Sequence, residues 1–268
     1  MKKNMIKTCL VLATLFGSTL IYADKQVYQE APKAYNTLTI QDAVIRDYKS
    51  FYTEDRAFSM GVAFGLGAIV ANSSADQSIR DWYQNNQRSS NTDKFSKVFK
   101  NFGEGKYMLP LALLAGSVNY FKPSSDIGVW GVYATRSYIV GLPALVIVQR
   151  LTGASRPNER SYNSKWNSFK DANGVSGHSF VGAVPFLTLA NMYEDNPYIK
   201  YSAYAASFLT AWSRINDDAH YFSQAALGWF LAYESVNSVF DGDRKNSKFS
   251  VSPILGKDRY GISVQMKW

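Results

Sequence analysis

The chain has two histidines, His178 and His220, and each stands among residues that suit an anion. The first lies in Gly174-Val175-Ser176-Gly177-His178-Ser179, directly before an apolar stretch. The second is separated by five residues from Ser213-Arg214 and by three from Gln224. Upstream, six residues separate Gln149 from Arg156-Pro157. A phosphoryl group in transfer spreads negative charge over several oxygens, and arginine meets it with a planar fork of donors. Arg156 and Arg214 offer two such forks. Ser176 and Gly177 offer a hydroxyl and backbone N–H groups where a helix starts, an anion-binding arrangement. A neutral imidazole at His220 can attack phosphorus, while His178 protonates the leaving alkoxide and later deprotonates water. Arginines and N–H dipoles neutralise the charge, so this chemistry requires no metal and no cofactor.

These blocks resemble the phosphatidic acid phosphatase type 2 and vanadium haloperoxidase superfamily. Its pattern is Lys, six residues, Arg-Pro; then Pro-Ser-Gly-His; then Ser-Arg, five residues, His, three residues, Asp. The match runs from Gln149 to Gln224, about a quarter of the chain, with all three blocks in order. The resemblance implies an all-α helical bundle and a phosphohistidine mechanism. It gives Arg156, Arg214, the Ser176 hydroxyl and the Gly177 backbone to phosphate binding, His178 to acid–base work and His220 to nucleophilic attack. Three positions depart from the pattern. Gln149 replaces the phosphate-binding Lys and brings hydrogen bonds without charge; Arg150 is adjacent but about 100° round a helix. Val175 replaces Pro. Gln224 replaces the Asp that orients the nucleophile, and its amide oxygen can still accept an imidazole N–H. The implied activity is hydrolysis of phosphate monoesters, of a lipid phosphate or a small organic phosphate. A vanadium-dependent haloperoxidase, or a non-catalytic phosphate- or lipid-binding relative, is the alternative.

The elements that must position these residues read as helices. From Thr37, Ile40, Val44, Tyr48 and Phe51 recur on one face. Phe58–Ala71 is rich in Gly, Ala and Val, and Phe95, Val98, Phe99 and Phe102 mark another amphipathic stretch. Between them the chain is polar from Asn72 to Asp93, with a short Ile79/Trp82/Tyr83 face. Apolar segments follow at Tyr107–Tyr120, Val132–Leu151, Ser179–Met192, Tyr201–Ile215 and Gln224–Val239, with prolines and glycines expected mostly near their ends. This is the pattern of a helical bundle. The uninterrupted apolar runs are shorter than the ~20 residues a membrane span needs, and mean hydropathy is −0.20, so buried core helices are expected. The tail from Lys248 alternates apolar and polar residues about Gly256 and Asp258, the pattern of a β-hairpin over 247–268.

Residues 1–23 have the form of a secretory signal peptide. Lys2, Lys3 and Lys7 precede an apolar run from Leu10 to Tyr22, and Ala23 precedes Asp24. Export to the periplasm is expected, with residues 24–246 as the helical domain. The single cysteine, Cys9, lies in the signal, so the mature chain has no disulfide, thiol nucleophile or cysteine metal site. Loss of the three lysines lowers the formal charge from +8 to +5, a mild excess that suits anionic substrates or membrane surfaces. No Lys/Arg block of the nucleic-acid-binding type occurs.

Overall fold

The computed structural model describes residues 40–266 apart from 124, 158, 160–162, 248, 257 and 258. The expected signal peptide and the polar lead-in lie outside the described residues. The helices are α1 (Ile40–Phe51), α2 (Glu54–Asn72), α3 (Ala75–Asn86), α4 (Ser90–Lys100), α5 (Gly105–Phe121), α6 (Asp126–Thr152), α7 (Gly177–Met192), α8 (Pro197–Asn216) and α9 (Phe222–Ser247). A 3-10 turn, Asn101–Gly103, links α4 to α5. Beyond α9, β1 (Phe249–Gly256) and β2 (Arg259–Met266) pair antiparallel, with Phe249 opposite Met266.

The core is built around α7. Twelve of its 16 residues are buried, so it carries no wet face and no amphipathic stripe. Phe180, Val181, Val184 and Leu187 pack with Val140 and Leu145 of α6 and with Leu227, Leu231, Val236 and Val239 of α9. The 27-residue α6 starts on Ser125, whose hydroxyl accepts from Gly128 N–H, a cap that stabilises by about 1 kcal/mol. It ends at Gly153, whose φ of +60° turns the chain into the Arg156 loop. A Cβ there would lie 1.9 Å from the Asn167 carbonyl oxygen, so glycine is needed for space as well as for backbone angle.

Prolines do not all fall at helix ends. Pro110, Pro143 and Pro185 lie inside α5, α6 and α7. A helical proline frees the carbonyl four residues earlier. For Pro185 that is Val181, and Tyr138 Oη–H donates to it at 2.8 Å. For Pro143 it is Ile139, which accepts from Tyr48 Oη–H at 2.8 Å. Tyrosines from neighbouring positions thus complete two ladders that the prolines interrupt.

Charge is also used inside the bundle. Arg136 of α6 is buried and donates to Asp47 of α1 at 2.6 and 2.8 Å and to Asp243 of α9 at 2.9 Å through two nitrogens. Arg46 pairs with Asp243 as well. Arg56 of α2 pairs with Glu234 and Asp241 of α9. On the outside, large apolar residues are exposed along several helices: Phe58, Leu66 and Ile69 on α2, Leu113 and Leu114 on α5, Val146 and Ile147 on α6. Among the described residues one helix, Asp126–Thr152, is long and apolar enough to cross a membrane, with half of its apolar window buried.

Candidate active site

Three chain segments bring the expected residues together: the loop after α6, the start of α7, and the turn between α8 and α9. Ser176 caps α7. Its hydroxyl accepts from Ser179 N–H at 3.3 Å, and its own N–H donates to the Gln224 carbonyl at 2.9 Å. Gly177 and His178 are therefore the first helical residues, where N–H groups lack intrahelical partners. In the α8–α9 turn, the N–H groups of Ala219 (2.9 Å) and His220 (3.2 Å) both donate to the Arg214 carbonyl. This ties the second arginine to the second histidine through the backbone.

His220 is 4% exposed. Its Nδ1 lies 2.9 Å from Gln224 Oε1. The orientation of that amide is fixed twice over. Oε1 also accepts from Tyr221 N–H at 3.2 Å, and Nε2 donates to the Ser155 carbonyl at 2.8 Å. An amide oxygen is an acceptor, so Nδ1 carries the proton and Nε2 keeps its lone pair. Burial, aided by the charges of Arg156, Arg214 and His178, pushes the His220 pKa down to about 3 against the opposing effect of Gln224. The ring is held neutral, the form that can attack an electrophile. Gln224 also does what a carboxylate could not, since aspartate at 224 would leave the Ser155 carbonyl without its donor.

The arginines face the same space. Nε of Arg156 and Nε of Arg214 are buried and find no hydrogen-bond partner among the described residues. Arg214 reaches Asp217 only at 3.4 Å through Nη1, while Asp218 is held by Arg80. Burial lowers the Arg214 pKa, and Arg156 lowers it further, placing two guanidinium groups within electrostatic reach of each other. Buried cations with unused donors are the arrangement an oxyanion would complete. Gln149 stands beside Gly177, and its Nε2 donates to the Val175 carbonyl at 2.8 Å. Its amide therefore braces the Ser176 loop. Arg150 is exposed and does not take the place of the pattern's lysine.

His178 is partly exposed, and its Nε2 lies 3.4 Å from Glu104 Oε1. Burial, with the charges of Arg214 and Lys100, lowers its pKa, and Glu104 opposes them. Glu104 has no signature in the sequence, standing alone between Gly103 and Gly105, and only the 3-10 turn carries it to the site.

A second support was equally hidden. The polar face of α3 grips the α8–α9 turn along its whole length. Asp76 accepts from Ser223 N–H at 2.9 Å and from its hydroxyl at 2.5 Å. Gln77 accepts from Tyr221 Oη–H at 3.2 Å. Arg80 makes two 2.6 Å bonds to Asp218. Tyr83 Oη–H donates to Asn216 at 3.1 Å, and Gln84 to the Ile215 carbonyl at 2.8 Å. Positions 76, 77, 80, 83 and 84 share one helix face. Asp218, with φ of +53°, adopts the left-handed geometry that aspartate tolerates better than most residues.

The described residues contain no group of three or more His, Cys, Asp or Glu placed to hold a metal ion. Residues 138–247, which include every block of the motif, match the model of the PAP2 superfamily. No curated protein matches the chain. Among solved structures, the chain is similar to one described as the first transmembrane PAP2 type phosphatidylglycerolphosphate phosphatase, from Bacillus subtilis. The TM-score is 0.51 and the identity 17%, over 70% of this chain and 96% of that one. At that identity the likeness establishes a common helical fold.

Proposed function

We propose, from the premise that residues 138–247 are those of the PAP2 superfamily, that this chain hydrolyses phosphate monoesters through a phosphohistidine on His220. The observation that supports this best is the buried, neutral His220 with Nε2 free, beside two buried arginines whose Nε donors are unused. In the first half-reaction His220 Nε2 forms a bond to phosphorus as the ester P–O bond breaks. The bonding pair leaves with the alkoxide oxygen, which takes a proton from His178. In the second, water attacks the phosphohistidine, His178 takes its proton, and inorganic phosphate departs as the N–P bond breaks. Arg156, Arg214, the Ser176 hydroxyl and the Gly177 N–H stabilise the equatorial oxygens.

A lipid phosphate is the substrate class best supported. An apolar groove of about 530 Å³ lies between α2, α8 and α9, and its walls include Ile215 and Phe222, on either side of the His220 turn. Its other walls include Leu66, Phe208, Trp212 and Trp229. An acyl chain is an occupant of matching polarity, and the exposed apolar residues of α2, α5 and α6 suit association with a membrane. The basic, apolar N-terminal segment supports a location outside the cytoplasm. The test is phosphate release by purified protein from a long-chain lipid phosphate in micelles and from a water-soluble monoester. Activity is expected to favour the lipid, to survive EDTA, and to be blocked by vanadate, which takes the place of the transferred phosphoryl group. Loss in EDTA with recovery on adding magnesium would overturn the metal-independent mechanism. Equal turnover of both esters would overturn the lipid assignment.

The α3 clamp gives a further expectation. Replacing Arg80 by alanine removes both bonds to Asp218 while touching none of the groups around the phosphate. The turn that carries His220 then loosens, and kcat should fall by roughly 10²-fold, since displacement of about 1 Å can have that effect. Steady-state kinetics should find KM little changed, because the arginines remain. An unaltered kcat would mean that the turn holds its shape without α3.

A further inference from the structure

We propose that Glu104 is a positioning residue for His178, orienting the ring and holding on it the proton that His178 delivers to the leaving oxygen. The inference rests on the phosphatase reading above. It begins with a close approach between chain segments 74 positions apart. The 3-10 turn Asn101–Gly103 packs against the start of α7, and a Cβ on Gly103 would lie 2.8 Å from both Cβ and the carbonyl oxygen of His178. Glycine alone lets the turn come this near. The next residue, Glu104, caps α5 and brings Oε1 to 3.4 Å from His178 Nε2. Its second oxygen lies 3.5 Å from Lys106 Nζ. His178 Nδ1 is left for the leaving oxygen, with no hydrogen-bond partner among the described residues.

The surroundings explain why a carboxylate is needed here. His178 faces Arg214 on α8, Lys100 on α4 and His220 on the α8–α9 turn. The two cations, with burial, weaken its hold on a proton, and Glu104 opposes them. A general acid must nevertheless be protonated when the P–O bond breaks. The two rings thus have opposite partners. His220, which must be unprotonated, is held by the neutral amide of Gln224, and His178, which must carry a proton, faces a carboxylate. Divergent environments of this kind assign acid and nucleophile within one pocket. The carboxylate absent from position 224 is present instead on the other histidine. During the step, the P–O bonding pair passes to the leaving oxygen, the oxygen takes the His178 proton, and Glu104 remains a carboxylate beside a neutral ring.

Glu104→Gln keeps the size and removes the charge. The chain has only two histidines, so the His178 imidazole can be followed by NMR titration and assigned with His220→Ala. The His178 pKa should fall in Glu104→Gln by about one pH unit, as expected for loss of a nearby opposite charge. With octyl phosphate, a poor leaving group, kcat should fall by roughly tenfold or more. Its alkaline limb should move toward acid, because the proton leaves His178 at lower pH. With p-nitrophenyl phosphate, whose leaving group needs no proton, kcat should change much less, and Glu104→Asp should recover part of the octyl phosphate rate. An unmoved His178 titration would overturn the proposal. So would equal losses on both esters with no movement of the limb, the result of a merely structural role. Failure of the phosphatase reading is separate, since the wild-type protein would then release phosphate from neither ester nor from the long-chain lipid phosphate. In that case the titration alone decides whether Glu104 governs the His178 proton.

Discussion

Replacing His220 by alanine should remove turnover, with a fall on the order of 10⁴-fold or more, as befits loss of a covalent nucleophile. The side chain sits in a turn whose shape is set by other bonds. The Arg214 carbonyl receives the Ala219 N–H, and α3 holds Asn216, Asp218, Tyr221 and Ser223. The variant should therefore keep its fold by circular dichroism and its affinity for inorganic phosphate, which the arginines provide. Rapid-quench experiments with labelled substrate should find phosphoenzyme in the wild-type protein and none in His220→Ala. His178→Ala should still form it, slowly from alkyl esters, and hydrolyse it more slowly still. Full activity in His220→Ala would falsify the covalent mechanism. The pKa of about 3 adds a sign to the pH profile. His220 stays neutral as pH falls well below the ordinary histidine value, so the acid limb of kcat should not report its protonation.

The largest stability effect is expected far from the phosphate pocket. Arg136→Ala should destabilise the protein by about 3–5 kcal/mol, the range for breaking a buried ion pair by removing one partner. Arg136 provides four bonds that join Asp47 of α1 and Asp243 of α9 to α6, and Tyr133 on the same helix also bonds Asp243. Burial opposes the charge on both carboxylates. It raises the Asp47 pKa despite Arg136, whereas bonds and charge from Arg136 and Arg46 hold Asp243 below the usual value. Without Arg136 both acids lose their main partner in a place with little water. Denaturant titration of Arg136→Ala tests this. A loss under 1 kcal/mol, the level of an exposed pair, would show that the site opens to solvent.

Much of the helical layout was legible in the sequence because apolar runs too long for single strands, bounded by polar segments, leave few alternatives. The five segments from Tyr107 to Val239 correspond to α5–α9, with ends that differ by a few residues except that α6 begins at Asp126 and α9 runs on to Ser247. The spacing of Arg156, His178, Arg214 and His220 was legible for a different reason. His178 and Arg214 lie at helix ends, His220 in a short turn and Arg156 in the loop after α6, where neighbouring residue types are constrained by geometry. Two supports were not legible. Glu104 reaches His178 through a long-range approach that no local pattern encodes. In α3 the expected inner face, Ile79/Trp82/Tyr83, was partly inverted, for Trp82 is exposed while Asp76 is fully buried. Periodicity finds the apolar side of a helix, and α3 uses its polar side to hold the turn.

The pairing of helical prolines with tyrosine hydroxyls sets an order on sequence change. A tyrosine that reaches toward Val181 or Ile139 is tolerable before any proline arrives, since a carbonyl oxygen has two lone pairs and can accept a second donor. At Val181 a proline that arrives first leaves that carbonyl buried and unpaired, a loss of about 1–3 kcal/mol, whereas at the exposed Ile139 water can replace the donor. Once Pro185 is in place, Tyr138 cannot be withdrawn without the same loss. The Tyr138–Pro185 pair therefore acts as a ratchet: easy to enter by one route, hard to enter by the other, and hard to leave by either.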